Sequence, residues 1–275
     1  MGLRIATNVP SLATQRNVSA SGTEAAKSFA RLSSGQRITK SGDDAAGLAI
    51  SNNLEATTRG LKMAQRNAND GISFVQTAEG GINEVSNILI RLRELSVQAA
   101  SDTIGDSERG FVDKEVQSLK SEIDRIAQVT NYNGTALLSG EGEELSFQVG
   151  TSAGEMNQIA FDPSKTNVTS AALGVEGMSL ASKDGAKESL ASLDEAIKRV
   201  NENRSELGAM QNRLHSSSTS IGIAVENLSD AKSRIADTDI AAETSNMVKN
   251  QILQNAGISV LAQANAAPNN ALKLL

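Results

Sequence analysis

AKESLASLDEAIKRVNENRSELGAMQNRLHSSSTSIGIAVENLSDAKSRI, residues 186–235, decides the fold. Taken every seventh residue from Ala186, it reads Ala, Leu, Val, Leu, Leu, Ile, Leu and Ile, without a polar exception. The companion column from Leu190 reads Leu, Ile, Arg, Gln, Ser, Val and Lys. An apolar repeat of 3.5 residues marks a long helix with a narrow coiled-coil seam and a gentle left-handed supercoil. The polar entries Arg204, Gln211, Ser218 and Lys232 either set register against a partner helix or face another subunit.

The same pattern recurs upstream. Residues 54, 61, 68, 75, 82 and 89 are Leu, Leu, Ala, Val, Ile and Leu, and residues 64, 71, 78, 85, 92 and 99 are Ala, Gly, Ala, Val, Leu and Ala. They predict one helix of about 45 residues, roughly 65–70 Å long. Gly71 and Gly80–Gly81 weaken it by up to roughly 1 kcal/mol each, so a neighbouring backbone should approach closely there. Val112, Val116, Leu119, Ile123 and Ile126 step by four and three through a further helix, about 107–129. Asn131–Gly134 reads as a turn. Leu145, Phe147 and Val149, then Ile159 and Phe161, alternate with polar residues as a β-hairpin does, and the Gly- and Ser-rich 162–183 reads as irregular. Only Pro10, Pro163 and Pro268 interrupt the chain, which leaves room for long helices. The fold class is therefore mainly α: an elongated antiparallel coiled-coil rod with a small β-hairpin, plus paired terminal helices.

The two ends differ from this rod. Residues 1–53 and 236–275 are rich in Ala, Ser, Thr, Asn and Gln. Leu3, Ile5, Val9, Leu12 and Val18 at one end, and Ile240, Met247, Val248, Ile252, Leu253, Ile258 and Leu261 at the other, lie at helical spacing. Asp43–Asp44 and Asp237/Asp239 are placed to cap helix starts. Ordering a residue costs about 1–2 kcal/mol of backbone entropy, and a buried Leu, Ile or Val returns about 1.5–3 kcal/mol. With roughly one large apolar residue in five, an isolated end does not recover that cost. Such ends become ordered in an assembly.

LRIATNVPSLATQRN at the start, RLSSGQRITKSGDDAAGLAISN (31–52) and ISVLAQANAAPNNALKLL (258–275) resemble bacterial flagellin, the subunit of the flagellar filament. The resemblance covers both ends and most of the helical middle, and weakens around 139–182. It implies a terminal-helix domain of 1–43 with 236–275 that lines the inner tube of a filament. It also implies a helical rod domain, 44–235, with a hairpin-and-loop insert at about 139–182 in place of large outer domains. The implied function is self-polymerisation into the filament used for swimming; the alternative is a hook–filament junction protein of the same plan. The implied partners are like subunits, the flagellar export apparatus, an export chaperone at the C-terminal helix, and the filament cap and junction proteins. The implied location is outside the cell, in the flagellar filament, after export without a cleaved signal peptide.

Composition excludes other classes. The chain is 39% hydrophobic but 2% aromatic, which suits slender helices packed side by side better than a compact enzyme core. Its net charge of −6 is spread among interspersed acids and bases, so no basic stripe points to nucleic acid. No apolar run reaches the length of a membrane span, and the start lacks the pattern of a secretory signal. Cysteine is absent and His215 is the only histidine, which argues against a thiolate or His-based metal site and a His-based triad. The sequence predicts no enzyme, no cofactor and no metal.

The segment LIRLRELSVQAAS (89–101) resembles the patch by which many flagellins are detected by the vertebrate Toll-like receptor for flagellin. The resemblance implies Arg91, Leu95 and Gln98 on one helix and Glu115 on the next, with subunit packing as their primary role. Arg91 offers a planar fork for polar recognition and Leu95 an apolar contact.

Overall fold

The computed structural model describes residues 7–272. The chain is mainly α. Helices α1 (Val9–Ser34), α2 (Ala45–Ala99) and α3 (Asp106–Val129) come first. Strands β1 (Asn131–Tyr132), β2 (Thr135–Ala136), β3 (Leu145–Gln148) and β4 (Gln158–Phe161) follow, then α4 (Ser170–Leu173), α5 (Lys183–Ala236) and α6 (Ile240–Leu272). Local chemistry sets the ends. The Asn8 side chain accepts from the Ser11 amide, Pro10 sits in the first turn, and Gly35 closes α1 at φ 69°. Asp44 accepts from the Gly47 amide at 2.8 Å, and Asp239 from Ala241 and Ala242 at 2.9 and 3.1 Å. Asp43 and Asp237 do other work. Asp43 accepts from the Thr39 and Lys40 amides and the Thr39 hydroxyl, closing the loop before α2. Those hydrogen bonds hold its carboxyl below the usual range. Asp237 bridges to Gln36.

The chain divides into two compact units, with breaks after Ala56 and after Glu226, further into α2 and α5 than the limits of 43 and 236 drawn from the sequence. The middle unit, 57–226, holds the apolar core. There the α5 column from Ala186 to Ile221 is buried throughout, as are Ala64, Ala78, Val85, Leu92 and Ala99 of α2. In a third column of α2, Phe74 and Leu95 are buried and Gly81 and Ile88 half-buried, because α2 contacts α3, α5 and the β-segments together and needs a wider apolar stripe than a two-column seam. Phe74 is the hub: its ring meets Tyr132, Phe147 and Phe161 edge-on at 5.7, 5.4 and 4.8 Å.

β3 and β4 pair antiparallel, with Leu145 opposite Phe161 and Phe147 opposite Ile159. The Asn133–Gly134 turn joins a second pair, β1 and β2, both turn residues lying at positive φ. Part of the stretch read as irregular forms α4, capped by Thr169 and ended by Gly174. Arg109 is buried and donates to the Ala99 and Ser101 carbonyls, closing the end of α2. Lys120, also buried, donates to the Glu176 and Met178 carbonyls and ties down the loop after α4. The polar seam residue Ser218 of α5 donates to Asn69 of α2 at 3.2 Å.

In the unit formed by the chain ends, α1 packs along α6. The two connectors pair through their backbones: Arg37 N donates to the Ala236 carbonyl at 2.7 Å, and Thr238 N to the Gly35 carbonyl at 3.0 Å. Lys232 pairs with Glu55 at 3.0 Å, so this seam lysine also meets its own chain.

Candidate assembly surface

Helices α1 and α6 run antiparallel. Asn8 donates to the Ala264 carbonyl at 2.8 Å and Ser11 to Asn265 at 2.7 Å, while at the far end Arg31 lies 3.7 Å from Glu243. Between these ends, Gly22 faces Gln254, and Gly257 faces Val18. The covered face of α1 is therefore built from small residues: Ser28 is buried, and Ser11, Ser21, Gly22 and Ala25 are half-buried. Small residues let two helices approach closely; of the large apolar side chains, Val18, Met247 and Leu261 are half-buried and most of the others are exposed.

The other faces are open. Phe29 is 68% exposed, Ile240 65% and Ile252 62%, and Val9, Leu12, Val248, Leu253, Ile258 and Val260 are exposed with them. Apolar residues of α6 are spread around its whole circumference. With no single apolar face, α6 cannot cover all of its large side chains against one partner helix, and here it packs chiefly on α1. An exposed apolar surface of this extent marks an interaction site.

The residues singled out in the sequence fall into three groups. Val18, Met247 and Leu261 are half-buried. Val9, Leu12, Ile240, Val248, Ile252, Leu253 and Ile258 are exposed. Leu3 and Ile5 lie outside the described residues. The apolar periodicity did not reveal the small polar face of α1; its signal was the Ser, Gly and Ala recurring along 11–28.

On α2, Arg91 donates to Glu115 of α3 at 2.9 and 3.1 Å and to Glu94 at 3.2 Å. The Glu115 carboxylate first, then Glu94, raises its pKa further above the ordinary guanidinium range. Arg93 pairs with Asp194 of α5 at 2.7 Å. Gln98 and Glu115 are exposed. Leu95 corrects the expectation of an apolar contact on this patch: it is 2% exposed, in the core column that includes Phe74. Ile90 and Val97 are the exposed apolar residues nearby. Among the described residues, no group of three or more His, Cys, Asp or Glu is placed to hold a metal ion. No described helix is long and apolar enough to cross a membrane.

Residues 5–143 match the family model for the bacterial flagellin N-terminal helical region, and residues 190–275 the model for the C-terminal helical region. The chain belongs to the bacterial flagellin family. A flagellin of Halalkalibacterium halodurans is 40% identical over 268 residues, with 98% of each chain covered. The flagellar filament 30.7 kDa core protein of Treponema maltophilum is 38% identical over 280 residues, again with 98% of each covered. Among solved structures, the flagellin of Bacillus cereus superposes with a TM-score of 0.51 at 28% identity, covering 57% of this chain and 88% of that one. The two flagellin matches take in α1–α3 on one side and α6 with most of α5 on the other. Between them, 144–189 carries β3, β4 and α4.

Proposed function

We propose that this chain is a subunit of the bacterial flagellar filament, and that copies join through the apolar faces that α1 and α6 leave open. The observation that carries the joining surface is the exposure of Phe29, Ile240 and Ile252 on helices whose own contact uses small residues. Burying each such side chain contributes about 1.5–3 kcal/mol, so many copies sharing these faces gain a large apolar area. The terminal unit then lines the inner tube. Torque for swimming passes through the packing of the polymer, without a chemical step.

Further readings follow from the family. The chain leaves the cell through the flagellar export apparatus without signal cleavage, with a chaperone covering α6, and meets cap and junction proteins at the filament ends. Arg91, Gln98 and Glu115 are exposed for a neighbouring subunit and for the vertebrate flagellin receptor; Leu95 serves the core instead.

Electron microscopy of purified chain with short filament seeds tests the central reading, alongside a version lacking residues 1–43 and 236–275. Long tubes from the intact chain alone are expected. Intact, folded chain that leaves the seeds unextended would overturn the reading in favour of a junction protein.

A further inference from the structure

A glycine that follows Asn or Asp leaves its own backbone nitrogen unshielded. That nitrogen can attack the preceding side-chain carbonyl carbon and close a succinimide ring. The sequence offers three such pairs, Asp70–Gly71, Asn133–Gly134 and Asp184–Gly185. The fold shuts two of them. Gly71 is buried inside α2, where the helix uses its amide as a hydrogen-bond donor. A methyl group there would sit 3.2 Å from Leu214 and Phe147, so little room is left for the backbone to turn. The Gly185 amide, in the first turn of α5, donates to the Ser182 hydroxyl at 3.2 Å.

Asn133–Gly134 is open. Both residues are exposed, and nothing lies within 4 Å of where a methyl group on Gly134 would be. Among the described residues, neither the Asn133 carboxamide nor the Gly134 amide makes a hydrogen bond. Asn133 is also the one described residue other than glycine at positive φ, 50°, in a two-residue turn of the kind that Asn–Gly favours. Ring closure needs Asn133 to rotate about its Cα–C bond. The strands that hold the turn are two residues each, and so short a pair resists that motion weakly.

We infer that Asn133 is a self-modifying site at which the folded chain ages by deamidation. The Gly134 nitrogen attacks Asn133 Cγ. The new N–Cγ bond forms, the Cγ–Nδ2 bond breaks, and ammonia leaves with the proton of the attacking amide. Water then opens the succinimide. Attack at Cγ gives aspartate and attack at the main-chain carbonyl gives isoaspartate, with no oxidant, reductant or cofactor consumed. The two products differ in what they do. Asp–Gly suits the same turn and adds a negative charge. Isoaspartate lengthens the backbone of the turn by a carbon, so Tyr132 and Thr135 lose their register. Tyr132 meets the Phe74 ring at 5.7 Å, and a methyl group on Gly81 would stand 2.7 Å from Thr130 and Leu138. The turn is therefore seated on α2, and isoaspartate loosens that seat.

The test is ageing of the purified, folded chain in mildly alkaline buffer, beside the same chain unfolded in urea. Peptide mapping by mass spectrometry reads conversion at each position. Transfer of a labelled methyl group from S-adenosylmethionine by an isoaspartyl methyltransferase reads isoaspartate. In the folded chain, Asn133 should convert ahead of Asp70, Asp184 and the other Asn residues of 57–226. Asn133→Gly keeps a residue that accepts positive φ and removes the carboxamide, so the label on that peptide should be lost. The isoaspartyl chain should melt about 2–4 °C below fresh wild type, and fresh Asn133→Asp should melt with wild type. Asn133 left intact in the folded chain after the unfolded chain has converted would show that the turn closes the site, and overturns the inference. Earlier conversion at Asp70 or Asp184 overturns it too, and an unchanged midpoint in the isoaspartyl chain overturns the loosened seat.

Discussion

Gly257 of α6 lies against Val18 of α1 so closely that a methyl group at 257 would stand 2.5 Å from Val18 Cγ2. Helix propensity alone favours alanine there by about 1 kcal/mol, but the contact leaves no room for it. Gly257→Ala is expected to part the two helices, at a cost of about 1–3 kcal/mol. Amide exchange along 240–261 checks this: faster exchange is expected, and exchange as slow as wild type would show that Val18 simply moves aside.

The outward apolar residues make the opposite prediction. Ile252 and Ile258 are exposed, so Ile252→Ser with Ile258→Ser removes little that the monomer uses. The thermal midpoint should hold, as surface changes usually stay within about 0.5 kcal/mol. Elongation of filament seeds should be lost. A midpoint that collapses would mean that these side chains serve the monomer.

Phe74 holds the β-segments to the helices through three edge-on ring contacts. Phe74→Ala should cost about 3–5 kcal/mol, readable as a lower urea midpoint. Phe111→Ala, at an exposed aromatic of α3, is the matched comparison and should change little.

The long helices were legible because Leu, Ile and Val at 3.5-residue spacing leave few alternatives, and the β3–β4 hairpin followed from alternation at 145–149 and 159–161. Leu95 was misread because two heptad columns describe a helix with one partner. α2 contacts α3, α5 and the strands, so a third column, including Phe74 and Leu95, turns inward. Gly71 and Gly81 looked like sites of close backbone approach, but the side chains of Phe147, Leu138 and Thr130 fill that space, and sequence spacing does not reveal which distant residue arrives. The surface of α1 and α6 was half legible. Apolar residues at helical spacing pointed to burial, yet spacing alone could not say that the two helices would meet through Ser28, Gly22 and Gly257 and leave Phe29 and Ile252 outside.

Leu95 and Arg91 make separable predictions. Leu95→Ala empties a core position and should cost about 2–5 kcal/mol, lowering the thermal midpoint and weakening any receptor response through misfolding. Arg91→Ala with Gln98→Ala acts on an exposed face. It should leave the fold intact by circular dichroism while reducing the response of receptor-bearing cells to monomer. An unchanged response from that folded double variant would remove Arg91 and Gln98 from the receptor contact.

Acid should loosen the chain through carboxylates of two kinds, and salt tells them apart. Asp43 is held below the usual carboxylate range by the Thr39 hydroxyl, then by the Lys40 and Thr39 amides. Asp102 is held below it by hydrogen bonding and charge from Lys183. A depressed native pKa means that the unfolded chain binds more protons between the two values, so stability rises with pH across that window. The contribution is present above the unfolded value, about 3.9 for Asp, and is lost as pH falls through the lower native one. Both groups are exposed, so added salt screens the Lys183 charge at Asp102 but leaves the short hydrogen bonds at Asp43 in place. Titrating the side-chain carboxyl carbons by NMR in low and high salt checks this. Asp102 should move up toward its ordinary value in high salt while Asp43 stays depressed. An equal upward shift at both would mean that charge, not the Thr39–Lys40 hydrogen bonds, holds the loop before α2 closed.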